Sequence, residues 1–497
     1  MLHNKSGLKK GMKMSVRVIE NYIDGGWVPS EAERALDVNN PATGEAIARV
    51  PLSTPDEVDR AARAARAAFP EWRETPPYTR ARVMFRLKEA MEDNFERLAR
   101  QVVEENGKIL DEARGEVRRA IENVEGAAAI PYLMMGYNLE DVAEGIDEYA
   151  LRQPLGVFCC IAPFNFPAMV PFWFMPYAVA CGNTYIVKPS EQTPLTQNLL
   201  FELIDEADFP PGVVNLVNGD RVAAEALLQH PDVKGVSFVG STPVARHVYT
   251  MATAHGKRAQ CQGGAKNFLV VMPDAALDRT VAAIMTSAFG TAGQRCLAGS
   301  VVLAVGDSHA PLREKLVEAA RRLKVGDGMD PATQMGPVIS AQSCARVMSY
   351  IEQGVAAGAR LLLDGRGVEV EGRPGGYFVG PTIFDGVTPE MPIVQDEIFG
   401  PVLCIMPVRD FDEALDVLHS SPYGNAGSIF TSSGKWAREF QYRAQVGNVG
   451  VNIGIAAPIA AFPFAGMKES FFGDLHGQGL DGINFFTDRK VVIARWL

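Results

Sequence analysis

VFCCIA (157–162), NTYIVK (183–188), VVNLV (213–217), GVSFVG (235–240) and NFLVVM (267–272) are the runs that decide the fold of this 497-residue chain. Each is short, mostly apolar and rich in β-branched residues, and helical pieces such as Gln197 to Ala207 and Ala223 to His230 lie between them. A strand that is apolar on both faces must be covered on both faces, as in a parallel sheet between two helix layers. The fold class expected is therefore α/β, with a doubly wound nucleotide-binding sheet whose ligands sit at the carboxyl ends of its strands. A second α/β pattern runs from about Asp278 to Val449.

Upstream, Thr54-Pro55-Asp56-Glu57 forms a capping box with proline at the first helical position, and Pro70 is expected to end that helix. Arg60, Arg63 and Arg66 form its solvated stripe. The segment Arg80 to Ile121 is also helical in pattern. The apolar stretch Gly156 to Gly182 is long enough to suggest a membrane span. Pro163, Pro167, Pro171 and Pro176 would break such a helix, and Asn165 would lie unsatisfied in lipid. A buried strand, a turn and a buried helix are expected there instead, with no membrane partner.

The length suggests about two or three lobes. A hydrophobic fraction of 47% and a charged fraction of 22% are those of a soluble globular protein. A net charge of −11 and a pI near 5.3 argue against nucleic acid or an anionic membrane as partner. The first fourteen residues, MLHNKSGLKKGMKM, are basic without an apolar core and read as a loose tail or an alternative start near Met14. Seven cysteines without CxxC pairs point to reduced thiols and a cytoplasmic setting. No metal site is expected.

Most cysteines are small buried hydrophobes, but Cys296 sits in FGTAGQRCLAGS (289–300), among small residues and beside Arg295. An accessible turn and a neighbouring cation both favour the thiolate, the form that attacks carbonyls. For a dinucleotide there is no GxGxxG loop. Lys188 and Glu191, in KPSEQTP after the strand ending at Val187, could instead bond ribose hydroxyls, the carboxylate disfavouring a 2′-phosphate. Gly240-Ser241-Thr242 opens a helix whose N-terminus could face a pyrophosphate. The plainer alternatives are a solvated strand tip and a routine helix cap.

NPATGEAI (40–47), IAPFNFP (161–167), NTYIVKPSEQTP (183–194), FVGST (238–242), FGTAGQRC (289–296) and EIFGPVL (397–403) together resemble the aldehyde dehydrogenase superfamily, in order and over nearly the whole chain. GEVRRAIENVEGAA (115–128), IAPFNFPAMVPFW (161–173), GAKNF (264–268) and SFFGDLHGQGLDGINFFTDRK (470–490) look like the methylmalonate/malonate-semialdehyde dehydrogenases that acylate coenzyme A. The resemblance implies Cys296 as nucleophile, with Asn165 and the Cys296 N–H as oxyanion donors. It implies Ala162, Phe164, Lys188, Glu191, Gln192, Ser241 and Gly263 against NAD, and Glu397 on the nicotinamide ribose. Arg119 and Arg295 match arginines that would hold the carboxylate of an acidic aldehyde, bidentate work suited to guanidinium. It also implies a discontinuous NAD-binding domain (15–136 and 155–262), a catalytic domain (263–476) and a small β oligomerisation arm (137–154 and 477–497). The terminal strand needs a partner edge, so a homo-oligomer, dimer or tetramer, is expected.

Three departures bear on function. Gln262 stands where hydrolytic members carry the glutamate that activates water, and an amide is no general base. An external thiol acceptor, CoA, follows. Gln192 replaces an arginine frequent in the subfamily, and Ala245 replaces a glycine. A hydrolytic NAD(P)-dependent enzyme, a non-catalytic binding protein and a thiol hydrolase remain as alternatives, the last lacking an obvious His partner for Cys296.

Overall fold

The computed structural model describes residues 16–496, so the expected tail at 1–14 lies outside the described residues. Of the β-branched runs, four form the heart of one sheet. Val214–Leu216, Thr184–Lys188, Val157–Ile161, Val233–Val239 and Arg258–Gln262 lie side by side in that order, all parallel. The fifth run, Asn267–Val271, belongs to a second sheet. Its place in the first is taken by RAQCQ, which sequence inspection passes over because it alternates polar and apolar residues. Gln260 nevertheless lies buried, donating to Ser237 Oγ at 2.8 Å.

The central strands of the first sheet alternate between its two faces. Phe158, Cys160, Tyr185 and Val187 point into a core shared with helices Pro77–Asp93, Leu110–Ala128 and Leu195–Glu206. Val157, Cys159, Ile161 and Ile186 point to the opposite core, under Pro55–Glu74, Arg221–Gln229 and Thr242–Ala254. Burial on both faces is why these strands read as unbroken apolar runs. The capping box at Thr54 and Glu57 forms as expected, but Pro70 does not end its helix, which continues to Glu74. Trp72 is 2% exposed and donates from Nε1 to the Val179 carbonyl at 2.9 Å, an anchor that holds the last turn past the proline.

The second sheet runs Arg360–Leu363, Thr382–Asp385, Val402–Val408, Gly299–Val305, Asn267–Val271, Ala426–Phe430, Asn448–Val451, parallel except for its first edge. Residues 263–266 join the sheets, so the carboxyl ends of the first face the Cys296 loop of the second. A third sheet pairs Tyr137–Ala143, Ile146–Pro154 and Thr487–Arg495. Two segments cross the expected divisions. Phe471–Phe472 pairs with Cys261 and Gln262 in the first sheet, and helix Gly479–Phe485 buries Ile483 and Phe485 in the first core. No helix among the described residues is long and apolar enough to cross a membrane; Gly156 to Gly182 is a strand followed by helices Met169–Phe172 and Met175–Ala180.

Candidate active site

After helix Leu277–Phe289 the chain turns sharply, with Thr291, Ala292 and Gly293 all in the left-handed region (φ 53°, 51° and 71°). Such conformations cost a non-glycine residue about 1 kcal/mol or more, so something must hold them. Glu112 Oε1 accepts the Thr291 N–H at 2.8 Å. At Gly293 a Cβ would come within 2.1 Å of the Gly400 carbonyl, so the FGTAGQRC and EIFGPVL runs interlock through a glycine. Beyond the turn, the Cys296 carbonyl accepts from Asn267 Nδ2 and Asn425 Nδ2, each at 2.8 Å. The backbone N–H groups of Cys296 and Leu297 face the sulfur.

The expectation that Arg295 and exposure favour the thiolate is only half met. Burial raises the Cys296 thiol, the Glu397 charge raises it further, and Arg295 opposes both without prevailing, leaving it pushed up to about 12. Arg295 is itself engaged, its Nη2 lying 3.3 Å from Glu112 Oε1 and 3.1 Å from Thr291 Oγ1. In this cleft Cys296 is a thiol that needs a proton acceptor.

Asn165 is 4% exposed, and its Nδ2 donates to the Gln294 carbonyl at 3.1 Å, next door to Cys296. An amide nitrogen has two hydrogens, so a second donor remains for a developing oxyanion. The Asn165 backbone is fixed from beneath. Lys108 Nζ donates to its carbonyl at 2.7 Å and to Glu116 Oε2 at 2.6 Å, while Glu116 Oε1 accepts the Ala168 and Met169 amides at 2.8 and 3.2 Å. Neither Lys108, Glu116, Asn267 nor Asn425 was singled out as a site residue. GAKNF contains Asn267, but Asn425 reaches Cys296 across more than a hundred residues and has no local signature.

A cleft of about 710 Å³ opens at the switch point of the first sheet, where the chain leaves Val157–Ile161 to one side and Val233–Val239 to the other. Its wall brings together Ala162, Phe164, Asn165, Lys188, Glu191, Gln192, Ser241, Gly263, Cys296 and Glu397. Lys188 Nζ donates to Glu191 Oε2 at 3.1 Å. Ser241 precedes helix Thr242–Ala254 without any side-chain cap bond, which leaves its hydroxyl to a ligand. Gln192 Oε1 is buried and has no hydrogen-bond partner. Ala245 is fully buried in the sheet-side core. Glu397 Oε1 accepts the Ala265 N–H at 2.9 Å, and burial, against Ala265, Lys266 and Arg346, pushes its carboxyl up to about 7.

Arg119 and Arg295 are not on that wall. Arg119 donates to Glu122 Oε2 at 2.6 Å, one turn beyond Glu116 on helix Leu110–Ala128. Glu112, Glu116 and Arg119, spaced by four and three residues, share one helical face, and the first two already grip the Cys296 turn and the 165–169 turn. Gln262, at the end of its strand, donates from Nε2 to the Phe464 carbonyl at 2.9 Å, while its Oε1 is buried without a partner. None of the described histidines is hydrogen-bonded to Cys296. His230, His247, His309 and His476 pair with carboxylates, and His255 and His419 with backbone carbonyls.

Residues 27–492 match the aldehyde dehydrogenase family. The chain belongs to that family. It is 50% identical over 485 residues to malonate-semialdehyde dehydrogenase 2 of Geobacillus kaustophilus, covering 98% of this chain and 100% of that one. Among solved structures it is similar to methylmalonate-semialdehyde dehydrogenase from Oceanimonas doudoroffii, at 46% identity and a TM-score of 0.96 over 97% and 99% of the two chains. A Sinorhizobium meliloti protein assigned as a methylmalonate-semialdehyde dehydrogenase and solved with NAD gives 42% identity and a TM-score of 0.96, over 98% and 99%. Family membership accounts for the interlocked turns and for the open switch-point cleft, and it makes the thiol-hydrolase alternative redundant.

Proposed function

We propose that this aldehyde dehydrogenase oxidises malonate or methylmalonate semialdehyde with NAD and transfers the acyl group from Cys296 to coenzyme A. Gln262 carries the CoA half of this reading. The side chain at the water-activating position is an amide turned onto the Phe464 carbonyl, so the thioester has no base there to hydrolyse it.

The residues present fit NAD. Lys188 and Glu191 present a cation and a carboxylate to ribose hydroxyls, Ser241 keeps a free hydroxyl at a helix N-terminus, and Gln192 Oε1 is an unsatisfied acceptor on the wall. Ala162, Phe164 and Gly263 supply the close-packed floor, and a Cβ on the adjoining Gly264 would come within 2.6 Å of Glu397 Oε2. Bound NAD supplies the hydride acceptor. Cys296 attacks the aldehyde carbon, and Asn165 Nδ2 with the Cys296 N–H stabilises the oxyanion. Once hydride has left that adduct, the acyl group is held on the sulfur as a thioester. A malonate-type acyl group loses carbon dioxide, and CoA carries away acetyl or propionyl. Arg119 and Arg295, the two cations of the helix face and turn beside Cys296, would hold the substrate carboxylate.

The oligomer reading rests on the third sheet. Its edge strand Thr487–Arg495 exposes Val491 (61%) and Ile493 (68%), an unpaired apolar edge of the kind that assembly covers. A dimer or tetramer, with 137–154 and 477–497 as an oligomerisation arm beside the NAD-binding domain (15–136 and 155–262) and the catalytic domain (263–476), accounts for it.

Assay of malonate and methylmalonate semialdehydes with NAD, with and without CoA, tests the proposal. NADH formation strongly accelerated by CoA, with acetyl-CoA or propionyl-CoA as product, is the expected result. Fast CoA-independent turnover to a free acid would replace CoA by water, and no NADH from either aldehyde would remove the substrate assignment.

A further inference from the structure

Transfer of the acyl group to CoA needs a proton acceptor, because a thiol attacks a carbonyl as its thiolate. The position a base would occupy in hydrolysis holds Gln262, whose amide cannot take a proton. No histidine among the described residues is hydrogen-bonded to Cys296. Resting on the CoA reading above, we propose that the Glu397 carboxylate takes the proton of the incoming CoA thiol and returns it to the Cys296 sulfur as the acyl group departs.

The geometry behind this is a shared wall. Glu397 and Cys296 line the same cleft, and Glu397 is the leading charge acting on the sulfur, ahead of Arg295. The carboxylate is fixed at one oxygen by the Ala265 N–H, while the other lies on the side of Gly264, a residue with no side chain to obstruct it. Its backbone is pinned by Arg346 Nη2, which donates to the Glu397 carbonyl at 2.7 Å, and by Lys266, which donates to the neighbouring Asp396 carbonyl at 2.8 Å. The groups facing it are Lys266, Arg346, Tyr350, Tyr423 and Cys296. Burial sets the carboxyl near neutrality, where an acid and its conjugate base are both present to relay a proton. The role on the nicotinamide ribose implied by family resemblance does not conflict, because the two duties fall in different halves of the cycle.

The step balances. The CoA S–H bond breaks and its proton passes to Glu397. The CoA sulfur bonds to the acyl carbon, and the Cys296 C–S bond breaks. The Cys296 thiolate, held in a cleft that favours the thiol, takes the proton back from Glu397. No oxidant, metal or further reactant is needed.

Acylation of the full-length protein with p-nitrophenyl acetate places acetyl on Cys296 without NAD, so loss of ribose contacts in a variant cannot mask the result. Rapid mixing with CoA and mass analysis of the protein then follow transfer. In the unsubstituted protein the rate should rise with pH and level off near 7. In Glu397→Gln it should fall by about 10²–10⁴ and rise without that levelling. An aromatic thiol already ionised at neutral pH should deacylate both proteins at similar rates. Transfer to CoA by Glu397→Gln at the unsubstituted rate, with the same pH profile, would overturn the inference. Release of acetate alone from the unsubstituted acetyl-enzyme, with CoA present, would overturn the CoA reading instead and take this one with it.

Discussion

Lys108, fully enclosed, donates from Nζ to the backbone carbonyl of Asn165 at 2.7 Å. The same ammonium pairs with Glu116 and lies 4.1 Å above the Phe166 ring, and Asn106 Nδ2 donates to the Phe164 carbonyl at 3.0 Å. The oxyanion donor is thus suspended from a short segment, 106–108, that ends helix Phe95–Asn106. Burial lowers the Lys108 pKa and Glu116 works against that, so charge, hydrogen bonds and packing are tied together at one atom.

Lys108→Met strands Glu116 without its cation and should cost about 3–5 kcal/mol of stability. Lys108→Met with Glu116→Leu should recover much of that loss in thermal melting, because an apolar pair can replace a buried ion pair. Its kcat should stay low, approaching the roughly 10²–10³-fold loss expected for Asn165→Ala. A double variant with the kcat of the unsubstituted protein would show that Lys108 does not position Asn165.

Alkylation of Cys296 reads its protonation directly. Because burial and Glu397 raise the thiol, the thiolate fraction is small at neutral pH and grows through the alkaline range. Iodoacetamide should react about tenfold faster per pH unit from 7 to 9, without a plateau, in the protein free of nucleotide. Arg295→Gln removes the charge that opposes the rise and should slow the reaction at every pH. A plateau below pH 8 would mean that the sulfur is a stabilised thiolate.

Gln262→Glu exchanges an amide donor for a carboxylate opposite the Phe464 carbonyl. The lost bond turns the side chain toward the cleft, where a carboxylate can activate water. Free-acid production without CoA should rise at least about tenfold, toward the range a positioned base supplies. Unchanged hydrolysis, measured as NADH released in the absence of CoA, would locate the missing base elsewhere.

Val491→Lys combined with Ile493→Lys places charge on the exposed face of the terminal strand. Light scattering after size-exclusion chromatography should show a smaller species than the unsubstituted assembly, with far-UV circular dichroism preserved. A monomeric unsubstituted protein would remove the oligomer proposal altogether.

Of the residues that line the cleft, Lys188, Glu191, Ser241 and Cys296 were legible from strand ends and a glycine turn, while Asn165, Gln192 and Glu397 were named only by the family resemblance. Lys188 follows TYIV directly and Ser241 follows SFVG, so both stand just past the ends of apolar strands. What escaped was set by contacts between distant segments. The strand Arg258–Gln262 hides behind its polar residues, whose partners lie in other segments: Ser237 for Gln260, the Phe464 carbonyl for Gln262 and the Phe485 carbonyl for Arg258. Pro70 reads as a stop until Trp72 is seen docked on Val179. Lys108 precedes the helix that carries Glu116 and stands eight residues from it, and only the fold encloses the two under Asn165. Arg295 is a cation beside Cys296 by sequence alone, but Glu112, which occupies it, lies on a helix more than a hundred residues earlier.

The strand that ends at Gln262 is closed on its outer edge by Phe471–Phe472, and the Gly263 N–H bonds the Ser470 carbonyl at 2.8 Å. The hairpin ending at Pro154 likewise waits for Thr487–Arg495. Both partners, residues 471–472 and 487–495, come well over a hundred positions after Cys296 in the chain. A ribosome translating from the N-terminus therefore finishes every residue of the nucleophile's loop well before the edges that enclose its neighbourhood exist. Late, long-range closure of this kind slows folding. It also means that a chain interrupted before residue 471 carries the cysteine without the edges that complete the chamber around it.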